Sequence, residues 1–232
     1  MNNFSFSSVN ELKIFLKDEK LKKIFVICGE NSYKNSGADK LLDGIILNKQ
    51  REFFFKKSPY PDLIELKKII TSIRNSSPDL IIAIGGGSVI DYAKIANVLT
   101  ENNNLETEIP DGSYTIKKKF TKLAAIPTTA GSGAEVTSNA VIYIDKIKYS
   151  VEGEELKPDY FFLIPELVIG ASNKIKSSAG FDAIAQAMES LVSRKSNEES
   201  VEYAKKSLQI SLEHYINFLN KPNNENTSAM CL

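Results

Sequence analysis

Between Leu80 and Ala96, in "LIIAIGGGSVIDYAKIA", an apolar run passes through three glycines straight into a helical pattern. Five apolar residues with no polar alternation suit a strand covered on both faces. A strand that feeds a helix without a linker is half of a βαβ unit, so this stretch directs the chain towards a parallel sheet flanked by helices. Other runs repeat the theme. Lys22 to Ser32, Arg51 to Lys57 and Lys122 to Thr129 read as strands, and Asp39 to Leu47, Asp62 to Ile73 and Val89 to Leu99 as crossover helices.

After these, Ala140 to Val151 reads as a β-hairpin and Tyr160 to Ile164 as a strand returning to the sheet. Beyond Pro165 the pattern turns helical. The segment Ser178 to Val192 is one helix. Ser196 to Leu219 is another, with Ser196 and Glu199 at capping-box spacing. The expected fold class is α/β: a parallel-sheet domain over residues 1–170, then an all-helical domain over 171–232. The Asn-rich end, Lys221 to Thr227, reads as a loop.

Composition excludes several functions. The 29 basic and 29 acidic side chains cancel, so nothing in the overall charge favours nucleic acid or an anionic membrane. No stretch approaches the length of a spanning helix, and the first residues lack a signal-peptide pattern, so the expected location is cytoplasmic. The two cysteines, Cys28 and Cys231, form neither a disulfide framework nor a metal cluster. Small-molecule chemistry is the expectation.

Two turns are candidates for it. Gly85, Gly86 and Gly87 would let a pyrophosphate approach the backbone, with the N–H groups of the following helix facing the anion. The same residues also suit a tight turn capped by Ser88, with Asp91 three residues on closing a capping box. The second turn, "IPTTAGSGAEVTSNAVI" (Ile126 to Ile142), offers the Thr128, Thr129, Ser132 and Thr137 hydroxyls. Both turns follow strands of a parallel sheet, whose carboxyl edge is where ligands bind. On the helix Ser178 to Val192, Asp182 and Gln186 share one edge four residues apart. Spacing alone leaves them as either a solvated edge or half of a metal site.

The stretches "GGGSVIDYAK", "IPTTAGSGAEVTSNAVI" and "GFDAIAQAMES", in this order, resemble the iron-containing (group III) alcohol dehydrogenase family. The likeness runs from about Ile24 onwards and is nearest the phosphonoacetaldehyde reductase-like branch. It implies a dinucleotide-binding domain and a helical metal-binding domain with the active site between them. By this resemblance Gly85, Gly86, Gly87 and Ser88, with Asp91, Thr128, Thr129 and Ser132, hold NAD or NADP. Asp182 and Gln186 ligate a divalent metal, iron or zinc, with Gln186 where most relatives have histidine. Lys148 stands where the family often has a basic residue near the cleft.

The activity so implied is metal-dependent, NAD(P)H-linked reduction of a small aldehyde, or oxidation of the alcohol. A place in phosphonate metabolism and a homo-oligomer are compatible with it. Besides Gln186, two features depart from the pattern. Gly29 occupies the place of the aspartate that NAD-preferring relatives carry, which leaves NADPH open. The family's further histidine ligands lie in later helices, so the chain reads as C-terminally truncated, and His214 reads as a packing or surface histidine. Alternative readings are an inactive nucleotide-binding remnant and a dehydroquinate synthase-like cyclase or lyase.

Overall fold

The computed structural model describes residues 4–6 and 8–231. Its strands and helices follow the chain as β1 (Phe4–Phe6), α1 (Val9–Leu16), β2 (Lys23–Gly29), α2 (Glu30–Asn35), α3 (Ala38–Ile45), β3 (Gln50–Lys56), α4 (Leu63–Ser76), β4 (Leu80–Gly85), α5 (Gly87–Val98) and α6 (Leu105–Glu108). There follow β5 (Lys122–Pro127), β6 (Asn139–Ile144), β7 (Ile147–Glu152), β8 (Tyr160–Phe162), α7 (Pro165–Ile169), α8 (Asn173–Val192), α9 (Glu198–Asn220) and α10 (Asn224–Cys231).

Among the described residues, six strands form one parallel sheet in the order β1-β8-β5-β4-β2-β3. From β2 the chain moves outward to β3, then returns past β2 to β4 and continues the other way. The order therefore reverses between β2 and β4, and a doubly wound sheet opens its ligand crevice at that point. The glycine turn follows β4.

Alternation along β4 explains its uniform apolarity. Ile81 and Ala83 pack under α4 and α5, whereas Leu80, Ile82 and Ile84 face α1 and α3 through Leu12, Leu16 and Leu42. Every side chain of β4 is buried, because helices cover both faces. The β6–β7 hairpin is a separate antiparallel pair, packed through Ala140, Ile142 and Val151 against the α4–α5 side.

A buried polar brace ties the β3–α4 loop to α5. Glu65 accepts from the Lys57 and Ser58 N–H groups at 2.7 and 3.1 Å and from the Tyr92 hydroxyl at 3.0 Å. Tyr92 Oη in turn accepts from the Asp62 N–H at 2.8 Å. The loop then reaches the hairpin, since the Tyr143 N–H donates to the Pro61 carbonyl at 2.8 Å and the Tyr60 and Tyr143 rings lie 4.8 Å apart.

The helical part departs from the sequence reading at its boundaries. Helix α8 begins at Asn173, five residues before the expected start, because the Ser172 hydroxyl caps it by accepting from the Ile175 N–H. Helix α9 is capped by Asn197, with Ser200 completing the box, and not by Ser196 and Glu199. Ser196 instead donates to the Ser190 carbonyl in the connection. The expected loop at Lys221 to Thr227 is largely helical, because Asn223 accepts from the Asn226 N–H and α10 runs on to Cys231. Helices α8 and α9 approach closely at Gly180, where a Cβ would lie 2.7 Å from the Tyr215 ring.

Replacing Glu65 with Ala removes the acceptor of two part-buried backbone donors and leaves the buried Tyr92 hydroxyl only its long contact to the Tyr60 carbonyl to donate to. We expect it to lower the unfolding free energy by about 1–3 kcal/mol, read from urea denaturation. Exposed Glu30, changed the same way, should stay within about 0.5 kcal/mol of the parent.

Candidate active site at the sheet edge

Each of the three glycines makes a close approach, tightest at Gly85. A Cβ on Gly85 would fall 2.6 Å from Val89 Cγ2 in the first turn of α5. One on Gly86 would lie 3.2 Å from Thr129 Oγ1, and one on Gly87 2.9 Å from Ser132 Oγ. The first two turns therefore touch, with the hydroxyls of the second laid against the backbone of the first. A bond from the Thr128 N–H to the Gly85 carbonyl, 2.9 Å long, joins them at the base. Thr128 itself is buried, while Thr129 and Ser132 are half-buried.

The capping alternative does not hold. The N-cap of α5 is Gly86, which has no side chain to offer; Ser88 sits inside the first turn, so it and Asp91 form no capping box. Gly86 accepts from the Val89 and Ile90 N–H groups. The Gly87 and Ser88 N–H groups, the first two of a twelve-residue helix, gain no side-chain cap. Open amides at a helix start suit an anion.

Asp91 is directed inwards, where the Val141 backbone favours its charged form. Burial pushes its pKa up from 3.8 to about 6, and the charges of Lys94 and Lys148 oppose the shift. Lys148 is exposed on β7, opposite Tyr143, so it faces solvent at the hairpin. Its charge reaches the site through Asp91.

Lys94 and Glu135 escaped the sequence reading. Lys94 is fully buried, and its Nζ donates to the Ala134 carbonyl and to Thr137 Oγ1, each at 2.9 Å. Burial pulls its pKa down to about 8, against the opposing fields of Asp91 and Glu135. Burial also raises the Glu135 carboxyl. The signal was one lysine in a helix whose neighbours, Tyr92 to Val98, are all apolar or small apart from Asn97. Such a lysine must find buried acceptors.

Across from the second turn stands α8. The approach is tightest at Gly131, where a Cβ would come 2.1 Å from the Ala179 carbonyl oxygen. Ala130, Val168, Phe218 and Met230 form a small apolar cluster at this junction. Between the turn and the helices lies a cavity of about 570 Å³, bounded by Thr129, Ser132 and Glu135 on one side and by Ala183, Gln186, Tyr203, Lys206 and Ser207 on the other.

Asp182 and Gln186 are adjacent, the Gln186 amide donating to Asp182 Oδ2 at 2.6 Å; both are exposed, and Gln186 also lines the cavity. Glu189 is exposed one turn on. Among the described residues no group of three His, Cys, Asp or Glu side chains could hold a metal ion. His214 is engaged with Asn226 at 3.0 Å. Burial raises the Cys28 and Cys231 thiols to about 12, so neither supplies a thiolate near neutral pH.

A glycine turn at the switch point of a parallel sheet, a hydroxyl-bearing second turn and a facing helical pair define an α/β nucleotide-binding class with an appended helical region. The chain belongs to the iron-containing alcohol dehydrogenase family, which matches it over residues 3–165. It is 31% identical over 195 residues to 1-propanol dehydrogenase PduQ of Citrobacter freundii, covering 83% of this chain and 49% of that protein. It is 29% identical over 229 residues to 4-hydroxybutyrate dehydrogenase of Clostridium kluyveri, covering 95% and 57%.

Among solved structures, an iron-containing alcohol dehydrogenase from Thermotoga maritima superposes with a TM-score of 0.86 at 26% identity, covering all of this chain and 65% of that one. A sulfoacetaldehyde reductase from Bifidobacterium kashiwanohense, solved in complex with NAD+, gives 0.88 at 24% identity, covering 99% and 62%. The chain thus spans about half to two thirds of the length of these relatives. Among the described residues no helix is long and apolar enough to cross a membrane.

Two measurements test this geometry. Gly131→Ala drives a methyl into the Ala179 carbonyl, so we expect faster proteolysis within α8–α10 while the sheet resists; equal protection throughout would contradict the close approach. Asp91 sets a pH dependence. A folded carboxyl that keeps its proton up to about pH 6, against about 4 when unfolded, releases it on unfolding, so stability falls as pH rises through that window. Asp91→Asn should flatten this fall in denaturation measured from pH 4 to 7.

Proposed function

We propose that this chain serves NAD(P)H-linked interconversion of a small aldehyde and its alcohol, with residues 1–170 binding the nucleotide and 171–232 facing the substrate. The observation that carries this reading is the contact between the Gly85–Gly87 turn and the Thr129 and Ser132 hydroxyls, which opens onto the cavity lined by Gln186. A dinucleotide suits this place, because the Gly87 and Ser88 N–H groups gain no side-chain cap and the glycines put no side chain of their own beside them. Bound nicotinamide supplies a hydride.

In this reading the Gly87 and Ser88 N–H groups donate to the pyrophosphate, and the Thr129 and Ser132 hydroxyls orient the cofactor beyond it. Lys94 holds the second turn in place for that task. Lys148 acts at the rim, and Asp91, directed inwards beneath it, bears on the local charge felt by the phosphates. The cavity wall beyond Thr129 presents Lys206, Ser207 and Tyr203. A cation among hydroxyls suits an aldehyde carrying an anionic group, which supports phosphonoacetaldehyde as the substrate class.

A divalent metal does not fit the donors of this chain alone. Asp182 and Gln186 provide two donors, whereas a catalytic metal takes about three protein ligands plus an open position. Further donors would have to come from outside the described residues. This observation favours a second reading, a nucleotide-binding protein without turnover.

Titrating the chain with NADH and NADPH, following nicotinamide fluorescence, tests the nucleotide site. Gly87→Val should weaken both by about tenfold or more, as expected for loss of charge-assisted backbone bonds. Aldehyde-dependent oxidation of bound NAD(P)H on adding Fe²⁺ or Zn²⁺ would exclude the second reading, and binding without any turnover would exclude the first.

A further inference from the structure

Among the described residues the sheet ends on β3, which has β2 on one side and no strand on the other. It is the longer of the two sheet ends, seven residues against three in β1. The Gln50 N–H donates to the Lys22 carbonyl at 3.0 Å. Backbone groups alternate sides along a strand, so those of Arg51, Phe53 and Phe55 turn outwards. Past Phe55 the edge closes, because Glu65 takes the Lys57 N–H at 2.7 Å.

A proline, a bulge or a charge in mid-strand commonly guards such an edge against pairing. The centre of β3 has none of these. It reads Phe53, Phe54, Phe55, and its register with β2 is unbroken from Gln50 to Lys56. The Phe53 and Phe55 rings stack with centroids 5.7 Å apart and planes at 9°, and Tyr33 stands edge-on to both. Phe54 packs on the other face, against the α4–α5 side. Phe55 stays 40% exposed. The edge is therefore extended, apolar and fixed by its own packing before any partner arrives.

Its charges decide what fits beside it. Glu52 and Lys56 lie on the same face as Phe54, two residues to either side, and four residues of strand hold them about 13 Å apart. Among the described residues neither has an oppositely charged side chain within ion-pair distance; Lys56 Nζ donates to the Ser58 carbonyl instead. A second β3, antiparallel and centred on Phe54, sets Glu52 of each strand opposite Lys56 of the other. In that register Phe53 of one strand also meets Phe55 of the other, and these are residues whose backbone groups turn outwards. A register centred on Phe53 would instead set Glu52 opposite Phe54 and leave both charges unmatched.

We propose that β3 is an interface between two copies of this chain, which pair antiparallel about Phe54 and join their sheets edge to edge. Backbone bonds between Phe53 and Phe55 link the strands, the two Glu52–Lys56 pairs fix the register, and opposite charges across such a pair favour it. The phenylalanines cover one another's exposed rims. Arg51 comes opposite Lys57 at the end of the ladder, where its guanidinium is drawn back onto the Asp43 carbonyl at 3.2 Å.

Sedimentation equilibrium of the 232-residue chain tests this, beside Glu52→Lys, Lys56→Glu and the double exchange, with thermal melts to verify folding. The parent should dimerise. Glu52→Lys should weaken the dimer about tenfold or more, equivalent to about 1.4 kcal/mol, and the double exchange should restore it. Mixed together, the two single variants should pair with each other in preference to themselves, since the mixture sets lysines opposite glutamates throughout. Leu212→Glu, at an exposed apolar position of α9, should leave the dimer unchanged. A parent that stays monomeric, or a dimer indifferent to Glu52→Lys, overturns the interface. So does a dimer that Leu212→Glu abolishes, or one that the double exchange fails to restore.

Discussion

The buried ammonium of Lys94 organises the active edge of this protein. It leaves α5, the helix that begins at the glycine turn, and bonds the Ala134 carbonyl and the Thr137 hydroxyl of the second turn. An unpaired ammonium at that depth would be very costly, so the turn must present its acceptors or the helix cannot pack. Once the turn is held there, Thr129 and Ser132 lie against Gly86 and Gly87, and Gly131 meets the backbone of α8. The spacing between the sheet and the helices, and hence the cavity, then rests on that held turn together with the apolar cluster of Ala130, Val168, Phe218 and Met230.

The site is divided by chemistry as well as by position. At the sheet edge, backbone amides, small residues and hydroxyls suit a large anionic ligand. Across the cavity, Gln186, Lys206 and Tyr203 suit a smaller polar one. The Asp91, Lys94 and Glu135 side chains lie beneath the edge, each with its pKa displaced by burial. Such coupled buried charges stabilise the fold only as a set, since losing one leaves its partners uncompensated. Family membership follows from the sheet-bearing part, over residues 3–165, and it is the same part that holds the glycine turn and the hydroxyls.

Much of this was legible in the residues. The uniform apolarity of β4 announced a doubly covered strand, and the glycines announced the turn, because both are local properties. The strands and crossover helices came within a few residues of their positions. Helix ends were read less well. Ser196 and Asn197 are both good caps, and only the packing of the α8–α9 connection, with Ser196 turned back to Ser190, chose between them. The Asn-rich stretch after Lys221 looked like a loop by composition, yet Met230 and Cys231 find a surface at the junction with Phe218 that makes α10 worth forming.

By itself the sequence determined the parallel α/β class, the glycine turn after β4, the hydroxyl-rich turn after β5 and the pairing of Asp182 with Gln186 one helical turn apart. Each of these depends on neighbours within a few residues. Tertiary structure decided which of the many lysines matter. Lys94 became an internal tie because α5 is buried almost all round, and Lys148 an outlying charge because its hairpin faces solvent. A lysine's role depends on the dielectric and the acceptors around its ammonium, which only the folded chain supplies.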